Sequence, residues 1–244
     1  MLKYIFIIYI IWLASLSAET LSLESGINQT TLVELYTSEG CSSCPPAEDY
    51  LNKLKNNPNL WKKWVPVAFH VNYWDYIGWR DRYARSEFGQ RQSRYAKLKR
   101  ASTVYTPAFM VNGSSWRRGI FSSSLPETAA PVGKLMVSVS EKSVVAEFKP
   151  LKKYKTKLKL NIALLGMDLT NYIERGENKG RTAKHEFVVV GFNSEKSKNL
   201  KWKMTLPELH YPQVKKYALA AWVSEKGNPT PLQVVGGFFP AYKK

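Results

Sequence analysis

The chain has 244 residues, of which 44% are hydrophobic and 13% aromatic, so it can bury the core of one large domain or of two ordinary ones. Two cysteines are too few for the class of small secreted proteins that disulfides hold together. The formal net charge is +17, but the basic residues are spread along the chain without a nucleic-acid-binding motif, which predicts a solvated basic surface and no specific nucleic-acid partner.

The first 18 residues have the layout of a secretory signal peptide. Lys3 precedes an apolar run over 4–14, and small residues at Ser17 and Ala18 suit cleavage. An uncleaved N-terminal anchor is the alternative. No later stretch has the roughly 18 apolar residues that a membrane span needs. The sequence therefore predicts a periplasmic or secreted protein with no membrane span once the signal is removed.

The most informative stretch is a C-x-x-C motif between a predicted strand and a predicted helix. The strand covers 31–36, the helix covers 47–56, and Cys41 and Cys44 lie between them, followed by two prolines that a first helical turn tolerates. Free N–H groups and the dipole at a helix N-terminus favour a thiolate. The pattern indicates a redox-active dithiol, while a metal site or an inert pair remains open.

Position within the motif assigns the two cysteines different roles. Cys41 is expected to lie nearer the surface and to be the attacking thiolate, and Cys44 to be the more buried resolving thiol. The direction of electron flow cannot be read from the sequence.

Two later segments supply further candidates. A predicted strand over 67–71 leads into an aromatic stretch over 70–79, which is either a recognition surface beside the dithiol or core packing. A partly helical basic segment over 80–100 follows. Pro107 then precedes a predicted hairpin, with strands over 108–111 and 116–121 and an Asn-Gly turn.

This order of elements resembles a thioredoxin-like domain, and the chain is more narrowly similar to DUF1223, an uncharacterised family of secreted thioredoxin-like proteins. The matching segments are 33–46, 70–75, 78–79, 91–92, 105–107 and 176–181, together with His185. The resemblance implies a cis Pro107 that lies against the cysteines. It implies catalytic Cys41, Cys44 and Pro107, and substrate-binding Thr106, Trp74 and Trp79.

The second half has a different pattern. A Ser-, Pro- and Ala-rich segment over 121–132 is typical of a linker or is a remnant of the last helix of the thioredoxin-like fold, and about seven short strands follow it. We therefore predict an α/β thioredoxin-like domain over 26–122, followed by an all-β antiparallel sandwich-like domain over 134–240. A charged loop over 174–181 is either a hairpin turn or a docking segment. The three histidines are expected to be structural.

These features together predict a thiol–disulfide oxidoreductase-like protein that acts through Cys41 and Cys44. Its expected partners are protein thiols or disulfides and a redox partner protein, with no cofactor and no metal. The alternative is a copper- or peptide-binding module without redox turnover. In the copper version the two cysteines, with His70 or His185, would hold Cu(I), which favours thiolates.

Overall fold

The computed structural model describes residues 20–117, 124–128, 130–197 and 199–239. The predicted signal peptide, the last part of the strand predicted over 116–121 and the first residues of the predicted linker lie outside these residues. Among the described residues, no helix has the length and apolar character needed to cross a membrane.

Two α-helices, two short 3-10 helices and fourteen strands make up the regular structure of the described residues. The strands are β1 Thr20–Glu24, β2 Thr31–Thr37, β3 Trp64–His70, β4 Ala108–Val111, β5 Ser114–Trp116, β6 Gly133–Ser140, β7 Ser143–Pro150, β8 Leu158–Met167, β9 Leu169–Tyr172, β10 Thr182–His185, β11 Val188–Ser197, β12 Lys201–Thr205, β13 Lys216–Glu225 and β14 Pro231–Phe238. The helices are α1 Pro45–Lys53 and α2 Ser86–Lys97.

A mixed sheet of eight strands runs through both halves of the chain. Its order is β14-β13-β8-β11-β3-β2-β4-β5. Strand β3 is parallel to both of its neighbours, and the other neighbouring pairs are antiparallel. The two halves meet where Val188 of β11 pairs with Ala68 of β3 and the Ala68 amide donates to the Phe187 carbonyl at 2.8 Å.

The predicted fold class is therefore wrong. The protein is mostly β-sheet, and the strands from the two halves join in one sheet instead of forming an α/β domain followed by a separate antiparallel sandwich. The physical reason lies in the edge of β3 that does not pair with β2. Its backbone N–H and C=O groups need hydrogen-bond partners, and β11 from the second half supplies them. The residue ranges 26–122 and 134–240 remain a prediction about separable units.

Strand β8 shows why the alternating pattern in the second half was misleading. Ile162 and Leu164 face one core, and Ala163 and Leu165 face the other. Asn161, which the alternation places on a polar face, is fully buried and donates to the Trp222 carbonyl at 3.1 Å. A strand covered on both faces does not have a solvent-facing side.

A second sheet covers one face of the large one. It is antiparallel with the order β1-β6-β7-β12. Its strand β6 alternates buried and more exposed residues, so only one face is packed. That face contributes to one hydrophobic core, while α1 and α2 contribute Leu51 and Phe88 to the other. Strands β9 and β10 form a separate two-stranded sheet.

A buried ion pair fixes α2 to the large sheet. Glu34 of β2 is fully buried and accepts a hydrogen bond from Arg91 Nε at 2.7 Å. The hydroxyl of Tyr95 also donates to Glu34. Burial alone would lower the pKa of Arg91, but the Glu34 charge holds it above its usual range. The guanidinium therefore stays charged and balances the carboxylate.

Candidate functional site

The two cysteines form a disulfide at the start of α1. Their Cα atoms are 5.4 Å apart. Cys44 is the N-cap residue of the helix, and its carbonyl accepts hydrogen bonds from the amides of Ala47 and Glu48 at 2.9 and 3.1 Å. Two prolines occupy the first helical positions, where an N–H would have no intrahelical partner. Strand β2 and α1 thus hold the pair where the sequence predicts it.

Exposure does not distinguish the two cysteines. Both residues have no exposed surface, whereas Ser42 and Ser43 between them are exposed. The Ser43 hydroxyl lies 3.4 Å from Cys41 Sγ. The expected greater exposure of Cys41 is therefore not observed in the disulfide form.

Pro107 lines a groove beside the motif. The Thr106–Pro107 peptide bond is cis, as the resemblance implies. The groove has a volume of about 290 Å³, and Ser43 and Pro107 are both in its wall. Its remaining lining is mostly aromatic and apolar, including Tyr50, Tyr105, Phe109 and Trp116. The structure thus brings the cysteine loop and the proline loop together around an apolar depression.

Thr106, Trp74 and Trp79 are partly buried and have other contacts. Trp74 Nε1 donates to Thr106 Oγ1 at 2.6 Å. Trp79 Nε1 donates to Glu39 Oε2 at 2.8 Å. These bonds hold the aromatic segment beside the motif, and the substrate-binding role of the three residues stays a prediction.

The charged loop after β9 lies against the cysteine loop. Asn178 Nδ2 donates to the carbonyls of Glu39 and Cys41 at 2.8 and 3.0 Å. A Cβ added to Gly176 would come within 3.0 Å of the Trp79 Cβ, so the glycine permits this close approach. The loop is a hairpin turn between the antiparallel strands β9 and β10, and it also docks on the segment that precedes the disulfide, so both hypotheses hold.

Glu39 is a buried carboxylate two residues before Cys41. It accepts hydrogen bonds from Trp79 Nε1 and from Asn171 Nδ2, the latter at 2.8 and 2.9 Å to its two oxygens. His185 Nε2 lies 3.1 Å from Glu39 Oε1. Buried carboxylates are stable only when they are paired or hydrogen-bonded, and all three partners meet that need.

His70 and Asp81 form a second buried pair. His70 Nδ1 lies 2.7 Å from Asp81 Oδ2, which also accepts the amide of Glu39 at 2.8 Å. Burial alone would lower the pKa of His70, but the charge of Asp81 and its hydrogen bond outweigh it and raise the pKa to about 9. Burial would raise the pKa of Asp81, and the charge of His70 instead holds it below its usual range.

Glu48 of α1 completes this polar cluster. Its Oε1 accepts from Thr37 Oγ1 at 2.6 Å, and its Oε2 lies 3.6 Å from His185 Nδ1. The rings of His70 and His185 are 5.1 Å apart between centroids. The carboxylates of Glu39, Glu48 and Asp81 and the two imidazoles thus lie in one buried region next to the disulfide motif.

Sequence reasoning missed the carboxylates of this region and the asparagines that bind Glu39. Glu39 and Glu48 flank the cysteines in a segment where exposed acids are ordinary, and Asp81 is isolated in the sequence. The one available signal is that Glu39 and Glu48 lie within four residues of a cysteine. His70 and His185 were expected to be structural, with Cu(I) ligation beside the cysteines as the alternative, and nothing local indicates that they face each other.

A family model described as a protein of unknown function, DUF1223, matches residues 32–224. Two solved structures are similar over 90% of this chain. Protein AGR_C_4864 from Agrobacterium tumefaciens is 19% identical with a TM-score of 0.58 and 97% of its chain covered. HBP35 of Porphyromonas gingivalis is 12% identical with a TM-score of 0.54 and 77% covered. At these identities the similarity concerns the fold alone. No curated protein matches the chain.

Proposed function

The chain belongs to the DUF1223 family, and from this premise we propose that it is a thiol–disulfide oxidoreductase whose Cys41–Cys44 pair alternates between disulfide and dithiol. The observation that carries the proposal is the disulfide at the N-terminus of α1, beside an apolar groove. The entropic stabilisation from a disulfide grows with the length of the loop that it closes, and this loop spans a separation of three residues. A purely structural role therefore accounts poorly for the bond.

The exchange runs in two steps. A substrate thiolate attacks one sulfur of the pair, the Cys41–Cys44 bond breaks, and a mixed disulfide forms with Cys41 while Cys44 leaves as a thiolate. A second substrate thiolate then attacks the substrate sulfur of that mixed disulfide and releases Cys41. The protein gains two electrons and the substrate is oxidised to a disulfide. The same steps in reverse reduce a substrate disulfide.

The groove supports a protein or peptide substrate. A volume of about 290 Å³ accommodates one large apolar side chain next to a substrate cysteine. Thr106 and Pro107 lie where an extended peptide could run past the disulfide, with Trp74 bonded to Thr106. The predicted signal peptide and the oxidised pair support an extracytoplasmic compartment, where disulfides persist.

The test combines a reduction potential with cysteine variants. We expect a potential between about −120 and −270 mV, and a value below about −300 mV would instead indicate a structural bond. Cys41→Ser should abolish exchange with a cysteine peptide, and Cys44→Ser should accumulate mixed disulfides. Ser42→Ala is the matched control and should retain exchange. Equal loss in both cysteine variants without trapped adducts would contradict the assigned roles.

A peptide-binding module without redox turnover is the second candidate, because the groove itself requires no thiol chemistry. In that case the Cys41→Ser, Cys44→Ser double variant would bind an apolar peptide as tightly as the wild type, and the wild type would show no exchange with it.

A further inference from the structure

A buried cluster of three potential metal ligands lies beneath the disulfide motif. Glu48 of α1, His70 of β3 and His185 of β10 each offer one ligand atom, and these atoms all lie within 4.8 Å of one another. All three residues are buried. They come from three elements that are distant in sequence, so the tertiary structure alone assembles the cluster.

The orientation of the two imidazoles resembles that of metal-bound histidines. His70 Nδ1 faces the Asp81 carboxylate at 2.7 Å, and His185 Nε2 faces the Glu39 carboxylate at 3.1 Å. In metal sites a carboxylate commonly accepts the N–H of the ring nitrogen that does not bind the metal. Here that arrangement occurs twice and leaves His70 Nε2 and His185 Nδ1 as the two ligand nitrogens.

The lack of a partner for His70 Nε2 independently supports a ligand site here. The residue has no exposed surface, and this nitrogen has no hydrogen-bond partner among the described residues. Buried polar side-chain atoms seldom lack a partner in folded proteins. A metal ion within the cluster would replace the proton on this nitrogen and bind its lone pair, leaving the Nδ1–H bonded to Asp81.

We propose that Glu48, His70 and His185 bind a divalent cation of the zinc type. Two imidazoles and one carboxylate suit Zn²⁺, whereas Mg²⁺ and Ca²⁺ prefer oxygen ligands and Cu(I) prefers thiolates, which the disulfide does not supply. Bonds of about 2.0–2.1 Å place tetrahedral ligands about 3.3 Å apart, so from separations within 4.8 Å binding draws the most distant pair together by up to about 1.5 Å. The positive ion also offsets the charge of the three nearby carboxylates.

The site lies one helical turn from the disulfide, because the Glu48 amide donates to the Cys44 carbonyl at 3.1 Å. A bound ion therefore joins the first turn of α1 to strands β3 and β10. The proposal does not depend on redox turnover, since none of its ligands is a cysteine.

The test uses the Cys41→Ser, Cys44→Ser double variant, so that thiolates cannot bind metal. After loading with ZnCl₂ and extensive dialysis, metal analysis should find one Zn²⁺ per chain, and Zn²⁺ should raise the midpoint of thermal unfolding. Adding His185→Gln should lower the affinity by at least tenfold in a chelator competition. His210→Gln, which changes the histidine outside the cluster, is the matched control and should bind like its parent.

Glu48→Gln provides a second test in case the histidine variants fail to fold. Its amide oxygen can still accept the Thr37 hydrogen bond, so this substitution should preserve the fold. It should retain the parent circular dichroism spectrum and bind Zn²⁺ at least tenfold more weakly. With Co²⁺ the cysteine-free protein should show visible ligand-field bands without a thiolate charge-transfer band. Zn²⁺ uptake that is absent, or that is equal in the His185→Gln and His210→Gln variants, would overturn the proposal. Zn²⁺ binding that occurs only when reduced cysteines are present would also overturn it.

Discussion

The side-chain amide of Asn178 donates a hydrogen bond to the backbone carbonyl of Cys41, 3.0 Å away and separated from it by 137 residues in sequence. The same amide donates to the Glu39 carbonyl. One residue of the second half therefore bonds the carbonyls of the two residues that flank Gly40. The backbone that leads into the disulfide is fixed by a residue that the C-x-x-C motif does not contain.

Asn178→Ala should make the disulfide more reactive. Because it removes two hydrogen bonds from the cysteine loop, the loop opens more often and exposes its buried sulfurs. We expect reduction by dithiothreitol to accelerate about threefold to tenfold, measured by mass spectrometry after alkylation. The control is Asn193→Ala, an exposed residue bonded to its neighbour Ser194. Equal rates of disulfide reduction in the two variants would show that the Asn178 hydrogen bonds do not restrain the cysteine loop.

Tyr50→Ser should weaken exchange with apolar peptides and leave small thiols unaffected. Tyr50 is half-buried in the groove, with its ring centroid 5.8 Å from those of Phe109 and Trp116. Losing its apolar contact costs about 1 kcal/mol, or about fivefold in kcat/KM for a peptide with an aromatic residue beside its cysteine. Tyr76→Ser, at an 81% exposed tyrosine, is the control. A matching loss with glutathione would indicate damage to the disulfide itself.

Arg91→Met should destabilise the protein strongly. The substitution leaves the buried Glu34 carboxylate without its cation, which typically costs about 3–5 kcal/mol. Urea unfolding measures the change. Lys134→Met breaks the exposed ion pair with Glu24, whose atoms are 2.6 Å apart, and should have little effect on the free energy of unfolding, because solvent screens exposed charges. If both substitutions have the same small effect, the Glu34–Arg91 pair is not a major source of stability.

The buried His210 should lower the free energy of unfolding as the pH falls from 6.5 to 4. Burial, with the nearby charge of Arg85, lowers its pKa to about 4, against 6.5 for an ordinary histidine. Above pH 6.5 the imidazole is neutral in both states, so it has no effect on stability. Between pH 6.5 and 4 the unfolded chain binds a proton that the folded chain does not, so stability decreases.

His210→Gln should therefore flatten the decline in unfolding free energy from pH 6.5 to 4, measured by urea unfolding at each pH. The variant and the wild type should show parallel curves above pH 7. An unchanged slope below pH 6.5 would contradict the lowered pKa.

Limited proteolysis should cut the chain between its two halves, but the two fragments should remain bound to each other. The segment predicted as a linker over 121–132 is a suitable site for cleavage, because it joins two runs of regular structure. The two fragments should stay associated, since β3 and β11 belong to one sheet. Size-exclusion chromatography should show them co-eluting at the mass of the intact chain. Two independently migrating fragments would support separable units instead.

Local patterns predicted the elements of this protein much better than their arrangement. Strand β2, helix α1 and the cysteines between them follow from β-branched residues, turn residues and paired prolines that lie close together in sequence. The pairing of Val188 with Ala68 has no such signal, because a register between strands 120 residues apart depends on edges and core volume. The sequence therefore indicated strands in the second half but assigned them to a separate sandwich.

The candidate site shows the same division. The disulfide and the cis Thr106–Pro107 bond were expected, the first from spacing and the second from the resemblance. The buried carboxylates were not, because an acidic residue in a polar segment gives no sign of burial. Glu39 is hydrogen-bonded by Asn171, which follows it by 132 residues. Only the folded chain makes that contact.

The shared sheet also affects the order in which the protein can mature. Synthesis from the N-terminus produces β3 long before β11, so the edge of β3 at Ala68 has no strand partner during that interval. Asn171, Asn178 and His185 arrive late as well, and until then Glu39 and the Cys41 carbonyl lack these partners. The disulfide motif is therefore synthesised early but acquires its native surroundings only after the segment up to His185 has followed.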